Sequence, residues 1–229
     1  VILSLFFCIG GEKMKIQEIS IENKLYPEQL RNIYDAPLKL YVLGNVELLN
    51  QKGIAIVGSR NATEYGKEVA MQISKELSKN GINIISGLAL GIDTYAHIGN
   101  ILSNSIGKTI AVLGSGLDKI YPKQNIELAI KIIKEGGCIV SEYPLGTKPE
   151  KGNFPQRNRI ISGLSRGVLV VEASKKSGAL ITADFALEQG REVFSVPGTI
   201  TSVMSEGCNM LIKDGAKVVL SSEDILLEV

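Results

Sequence analysis

Four Gly/Ser-rich segments carry the residue types that hold anions. They read Val57-Gly58-Ser59-Arg60-Asn61-Ala62-Thr63, Ser86-Gly87-Leu88-Ala89-Leu90-Gly91-Ile92-Asp93, Gly114-Ser115-Gly116-Leu117-Asp118 and Glu172-Ala173-Ser174-Lys175-Lys176-Ser177-Gly178-Ala179. Turns of this kind expose backbone N–H groups, and the dipole of a following helix favours negative charge beside them. Gly58, Ser59, Gly87, Ser177 and Gly178 are therefore candidate phosphate ligands. Arg60 follows Gly58-Ser59 directly, so its guanidinium fork would reinforce the backbone field at that spot.

A second constellation lies between Tyr143 and Lys176. There Lys148, Lys151, Arg157, Arg159, Arg166, Lys175 and Lys176 face only Glu150 and Glu172, a net charge of +5. Phe154 stands inside this stretch, flanked by Gly152-Asn153 and Pro155, which reads as a loop. Most phenylalanines fill a core. An aromatic beside a cationic track, however, is what stacking on an unpaired base requires, and Phe154 is the place with both. Arg157 and Arg159 would track phosphates next to it; the alternative for one of them is to hold structural carbonyls at the start of a helix.

Other chemistries fail on spacing. A dinucleotide fingerprint needs G-x-G-x-x-G after a strand, but Gly114-x-Gly116 meets Lys119 at the third glycine position. Gly107-Lys108-Thr109 looks like the close of a P-loop, yet Leu102 occupies its first glycine position. The single histidine, His97, lies four residues after Asp93 and has no G-x-S-x-G serine to activate. A structural role is expected, with Asp93 either pairing with His97 or capping the preceding loop. Cys8, Cys138 and Cys208 show neither metal nor disulfide spacing, which fits a reducing cytoplasm. No cofactor, metal or catalytic residue is assigned.

These candidates need elements to position them. From Gly53 onward, short β-branched runs alternate with helix-period stretches. This predicts an α/β fold, an extended Rossmann-like, doubly wound, mostly parallel sheet with helices on both faces. The runs are Ile54–Val57, Ile82–Ile85, Thr109–Leu113, Cys138–Ser141, Val168–Val171, Glu192–Val196 and Lys217–Leu220. Helices are predicted over Glu64–Lys79, Asn125–Lys134 and Ala179–Gln189, stopped by Gly81, Gly136 and Gly190. Ligands of such sheets bind where strand ends enter helix N-termini, and the Gly/Ser-rich segments fall there.

Residues 53–229 form the expected binding domain, and residues 1–52 an N-terminal extension and lead-in. The lead-in opens a turn of helix at Tyr26-Pro27-Glu28 and offers an edge strand over Leu38–Leu43. The apolar run before Gly10 is shorter than the roughly 20 residues a bilayer demands and lacks the basic flank of a signal peptide. Residues 1–13 are expected to be an upstream extension, with Met14 as the native start. Over 229 residues, 25 Lys+Arg balance 24 Asp+Glu, a formal net charge of +1. That excludes a globally basic nucleic-acid coat and confines any polyanion to a local patch. The acidic stretch 201–229, at a net −3, supplies part of the offset.

Taken in order, the motifs resemble the DNA processing protein A family, also called Smf. The match runs through Tyr26-Pro27, Val57-Gly58-Ser59-Arg60, Ser86-Gly87, Gly91-Ile92-Asp93 and Ala96-His97. It continues through Gly116-Leu117-Asp118, Tyr121-Pro122, Phe154-Pro155, Arg157-Asn158-Arg159, Ser177-Gly178-Ala179-Leu180-Ile181-Thr182 and Val196-Pro197-Gly198. The resemblance implies a homodimeric single-stranded DNA-binding protein of natural transformation that protects incoming strands and helps load the RecA recombinase. Carried over by position, it implies that Gly58, Ser59 and Arg60 hold phosphate, that Phe154 meets a base, and that Lys123 and Lys148 line the same positive pocket. Relatives with added helical or winged-helix-like domains lead us to expect the Rossmann-like core alone in this chain. The rival class is a nucleotide-processing enzyme similar to the phosphoribohydrolases of the lysine-decarboxylase-like type. Their P-G-G-x-G-T-x-x-E loop corresponds here to Glu172–Gly178, which has no glycine run and no following Glu.

Overall fold

Along the strand Gly53–Val57, Ile54 and Ile56 point to one face of the sheet and Ala55 and Val57 to the other, and all four are buried. Burial on both faces is why such runs are continuously apolar rather than alternating. The structure, a computed structural model, describes residues 15–229, so the expected extension over residues 1–13 lies outside the described residues.

The strands are β1 (Gln17–Ser20), β2 (Lys39–Gly44), β3 (Gly53–Val57), β4 (Asn83–Ser86), β5 (Thr109–Leu113), β6 (Cys138–Ser141), β7 (Gly167–Val170), β8 (Glu192–Ser195) and β9 (Lys217–Val218). The helices are α1 (Glu28–Arg31), α2 (Glu64–Lys79), α3 (Ile92–Ser103), α4 (Ile126–Lys134), α5 (Asn153–Gly163), α6 (Gly178–Glu188), α7 (Glu206–Lys213) and α8 (Glu223–Leu226). One nine-stranded sheet results, in the order β1-β2-β6-β5-β4-β3-β7-β8-β9. All its pairings are parallel except β1 with β2 and β2 with β6. Ile54, Ile56 and Ile84 meet Ala70, Ile73 and Leu77 of α2 and Ile92 and Ala96 of α3. The opposite face carries Ala55, Val57, Val168 and Val170 against Ile160 and Ile161 of α5 and Ala179 and Ala183 of α6. This is the doubly wound, mostly parallel architecture that the alternating pattern predicts.

All seven predicted runs are strands, although Lys217–Leu220 pairs only over Lys217–Val218. The three glycines expected to stop helices, Gly81, Gly136 and Gly190, have φ of 77°, 83° and 66°. Two expectations fail. The lead-in strand is not an edge: β2 pairs with β6 (Val42↔Val140), and β1 covers its other side (Gln17↔Val42). The Phe154 segment is not a loop but the first turn of α5. Proline misleads here because Pro155 lies in that first turn, where its missing N–H has no intrahelical partner to lose.

Candidate functional site

The strand order reverses between β3 and β7: β4, β5 and β6 follow β3 on one side, and β7 lies on the other. Loops leaving two such strands diverge and open a crevice at their carboxyl ends. A groove of about 610 Å³ lies there. Its β3 loop is pinned from two directions, because Ser59 N donates to Glu172 O at 2.7 Å and Ile92 N donates to Ser59 O at 3.1 Å. A Cβ on Gly58 would lie 2.6 Å from Ile92 Cγ1, so glycine is what permits this approach.

The pinned loop presents Arg60 to the groove. The side chain is exposed and makes no hydrogen bond or ion pair among the described residues. Its guanidinium lies 5.6 Å from the centroid of the Phe154 ring, and that ring lies 5.5 Å from the Tyr121 ring at a 42° tilt. A cation above an aromatic pair, all facing one crevice, can hold a phosphate and offer a ring face to a base within a nucleotide's length.

Helix α5 carries Phe154 on its first turn, and its two arginines diverge below. Arg157 reaches the groove floor, but 4% of it is exposed. Its Nη1 donates to Gly87 O at 2.7 Å and to Val112 O. It therefore holds structural carbonyls and has little left to offer a phosphate, which corrects the expectation of a phosphate contact. Gly87 is the complement of this contact, since a Cβ there would lie 2.6 Å from Arg157 Nη2. Burial lowers Arg157 to about 10 despite the neighbouring Asp93, so it remains charged at neutral pH.

Arg159 is a second correction. It points away from the groove and grips Glu142 through both terminal nitrogens at 2.7 Å, while Nε donates to Asp35 O at 2.9 Å. This bidentate pair ties α5 to the end of β6 and to the lead-in. Asp93 does not pair with His97 but caps the preceding loop, accepting from Gly87 N at 3.0 Å and Ala89 N at 3.3 Å. His97 instead meets Thr109 Oγ1 at 2.7 Å through Nδ1. That hydroxyl donates to Ile84 O at 2.9 Å, so the ring proton sits on Nδ1. Burial, and secondarily Arg157, pushes His97 down to about 3.

Ser177 and Gly178 line the groove at the start of α6, where Ser177 Oγ accepts from Ala179 N at 3.3 Å. Lys123 and Lys148 are exposed but do not line it. Lys151, Tyr121 and Asn158 do, and sequence reasoning did not assign them to the site. Lys151 had a legible signal, its place in the basic stretch three residues before Phe154. Nothing in the sequence places Tyr121 against Phe154. Among the described residues no group of three or more His, Cys, Asp or Glu is arranged to hold a metal, and no helix is long and apolar enough to cross a membrane.

A doubly wound sheet with a cationic, aromatic-lined groove at its switch point, and without the glycine fingerprint of a dinucleotide site, defines the class as a Rossmann-like protein. Comparison with known proteins narrows the class. The family model of DNA recombination-mediator protein A matches residues 17–229, and the chain belongs to that family. It is 48% identical over 214 residues to DNA processing protein DprA of Bacillus subtilis, covering 93% of this chain and 71% of that relative. The structure of DprA from Streptococcus pneumoniae superposes with a TM-score of 0.88 at 46% identity, covering 93% of this chain and 74% of that one. DNA processing protein A from Helicobacter pylori, whose structure describes a single-stranded DNA binding mode, superposes at 0.81 with 33% identity, covering 92% and 94%.

Proposed function

We propose that this chain binds single-stranded DNA in the groove between the β3 and β7 loops and acts there as a recombination mediator. The observation that carries the reading is the stack of Arg60 over Phe154 beside Tyr121. In this reading Arg60 and Lys151 take successive phosphates, and Ser59 with Ser177-Gly178 offers further donors. Phe154 stacks a base, with Gly58 and Gly87 giving the loops their close approach. Lys123 and Lys148 are exposed outside the groove, so contacts from them would belong to the strand beyond it. Arg157 supports the floor. Membership of the family, and the binding mode described for the H. pylori relative, support the finer role: a homodimer in the cytoplasm that shields an incoming strand and passes it to the RecA recombinase.

Because the contacts are to phosphates and a ring face, binding is expected to be largely independent of sequence and to weaken steeply with salt. Fluorescence anisotropy with an oligothymidine and with a duplex of the same length, over a salt series, tests this. Equal, negligible binding to both would end the proposal.

A further inference from the structure

We infer that Arg60 makes base stacking conditional on backbone charge: in the free protein it covers the groove-side face of Phe154, so the ring accepts a base only from a strand whose phosphate draws the guanidinium away. The inference rests on the strand-binding reading above and adds a selectivity to it, for bases that arrive on an anionic backbone over bases that arrive on a neutral one.

Phe154 is half-buried, and three neighbours meet its ring. The turn after β5 backs it, since a Cβ on Gly114 would lie 3.1 Å from Phe154 Cδ1, and Gly114 is not part of the groove wall. On the groove side stand Tyr121, its ring centroid 5.5 Å away, and Arg60, whose Cζ lies over the ring at 5.6 Å from the centroid. Tyr121 belongs to a turn that is fixed at both ends. Ile120 is buried beside Leu117, and Asn125 Nδ2 donates to Leu88 O at 2.8 Å and to Thr94 Oγ1 at 2.9 Å. Arg60 has no such tether, because its exposed side chain makes no hydrogen bond or ion pair among the described residues. Of the three neighbours it is the one free to leave.

The spacing requires it to leave. A base slipped between guanidinium and ring would touch both, which needs about 7 Å, twice a van der Waals separation of roughly 3.5 Å. The 5.6 Å between them is too short, so base and guanidinium compete for one face. Moving an exposed cation off an aromatic ring costs about two- to five-fold in affinity. A phosphodiester offsets that cost, because the guanidinium exchanges the ring for a charge-assisted hydrogen bond to a phosphate oxygen. A base on an uncharged backbone offers Arg60 nothing in exchange.

A double-mutant cycle, read by anisotropy with labelled oligothymidine at one fixed salt concentration, gives the sign of the coupling. If Arg60 leaves the ring on binding, each single variant is spared the cost of separating the pair. Arg60→Ala combined with Phe154→Ala is then expected to lose about two- to five-fold more affinity than the product of the two single losses. A double loss equal to the product would mean that the two side chains act independently, and a smaller one that Arg60 stays on the ring and clamps the base there; both overturn the inference. Where Phe154→Ala does not fold, Phe154→Leu closes the cycle. A methylphosphonate oligothymidine, whose backbone is uncharged, is expected to bind Arg60→Ala about two- to five-fold more tightly than wild type. Binding no tighter to the variant overturns the selectivity. Failure of wild type to bind ordinary oligothymidine would refute the strand-binding reading itself, an outcome distinct from a wild type that binds and a cycle that shows no such excess.

Discussion

Replacing Arg60 by alanine separates binding from folding. The side chain is exposed and its contact is the Phe154 ring at 5.6 Å. Removing it should lower stability by no more than about 1 kcal/mol. Each phosphate neutralised on a single strand contributes about −0.7 to the slope of log affinity against log salt, so the slope should flatten by about 0.7. Between about 50 and 200 mM salt, the advantage of wild type over the variant then shrinks about 2.6-fold. Anisotropy titrations with oligothymidine at several salt concentrations read the slope, and thermal melts of the same preparations read stability. Arg159→Ala should behave in the opposite way. Its side chain is 5% exposed and that of Glu142 15%, so truncation leaves a half-desolvated carboxylate without its partner. The cost is about 3 to 5 kcal/mol of stability, with the salt slope of the folded fraction unchanged. An unchanged slope in Arg60→Ala, or a flattened slope with an unchanged melt in Arg159→Ala, would refute this division of labour between the two arginines.

Phe154→Ala should weaken oligothymidine binding by about 1 to 3 kcal/mol if the ring stacks a base, and Phe154→Tyr should retain most of the affinity; equal loss in both would argue against stacking. Gly87→Ala places a Cβ 2.6 Å from Arg157 Nη2, and overpacking of this kind should cost about 1 to 3 kcal/mol in a thermal or denaturant melt. His97 is held near 3 in the fold against 6.5 in a free chain. Protons therefore bind the unfolded state preferentially between those values. The contribution of His97 is complete above about pH 6.5 and is lost as pH falls, at up to about 1.4 kcal/mol per pH unit. A His97→Gln variant whose stability falls just as steeply with acid would show that other groups govern the response.

The seven parallel strands were legible because burial on both faces demands β-branched runs such as Ile54–Val57 and Thr109–Leu113, and little else in a sequence produces them. The anion loops were legible for a related reason: a close approach such as Gly58 to Ile92 admits only glycine. The arginines were not. Taken as a loop, 153–159 could aim Arg157 and Arg159 at one groove; as a helix, residues two apart face nearly opposite directions. One wrong element thus misplaced Arg159, although the alternative of a carbonyl-holding arginine fits Arg157. Tyr121 was missed as a site residue because its relation to Phe154 is spatial, whereas Lys151 was legible in the basic stretch three residues before Phe154 and was passed over.

The reversal of strand order also has a meaning in time. β3 can pair with β4 (Ile54↔Ile84) soon after both leave the ribosome, but its other edge waits for β7 (Ile54↔Gly167). The loop bearing Arg60 is thus made long before the wall bearing Ser177 and Gly178 exists. A nascent chain stopped short of β7 has the cation without the crevice, and leaves the β3 edge bare to stray strand pairing. On the proposed strand-binding reading, the complete groove, and with it capture of a strand, waits until synthesis has passed α6.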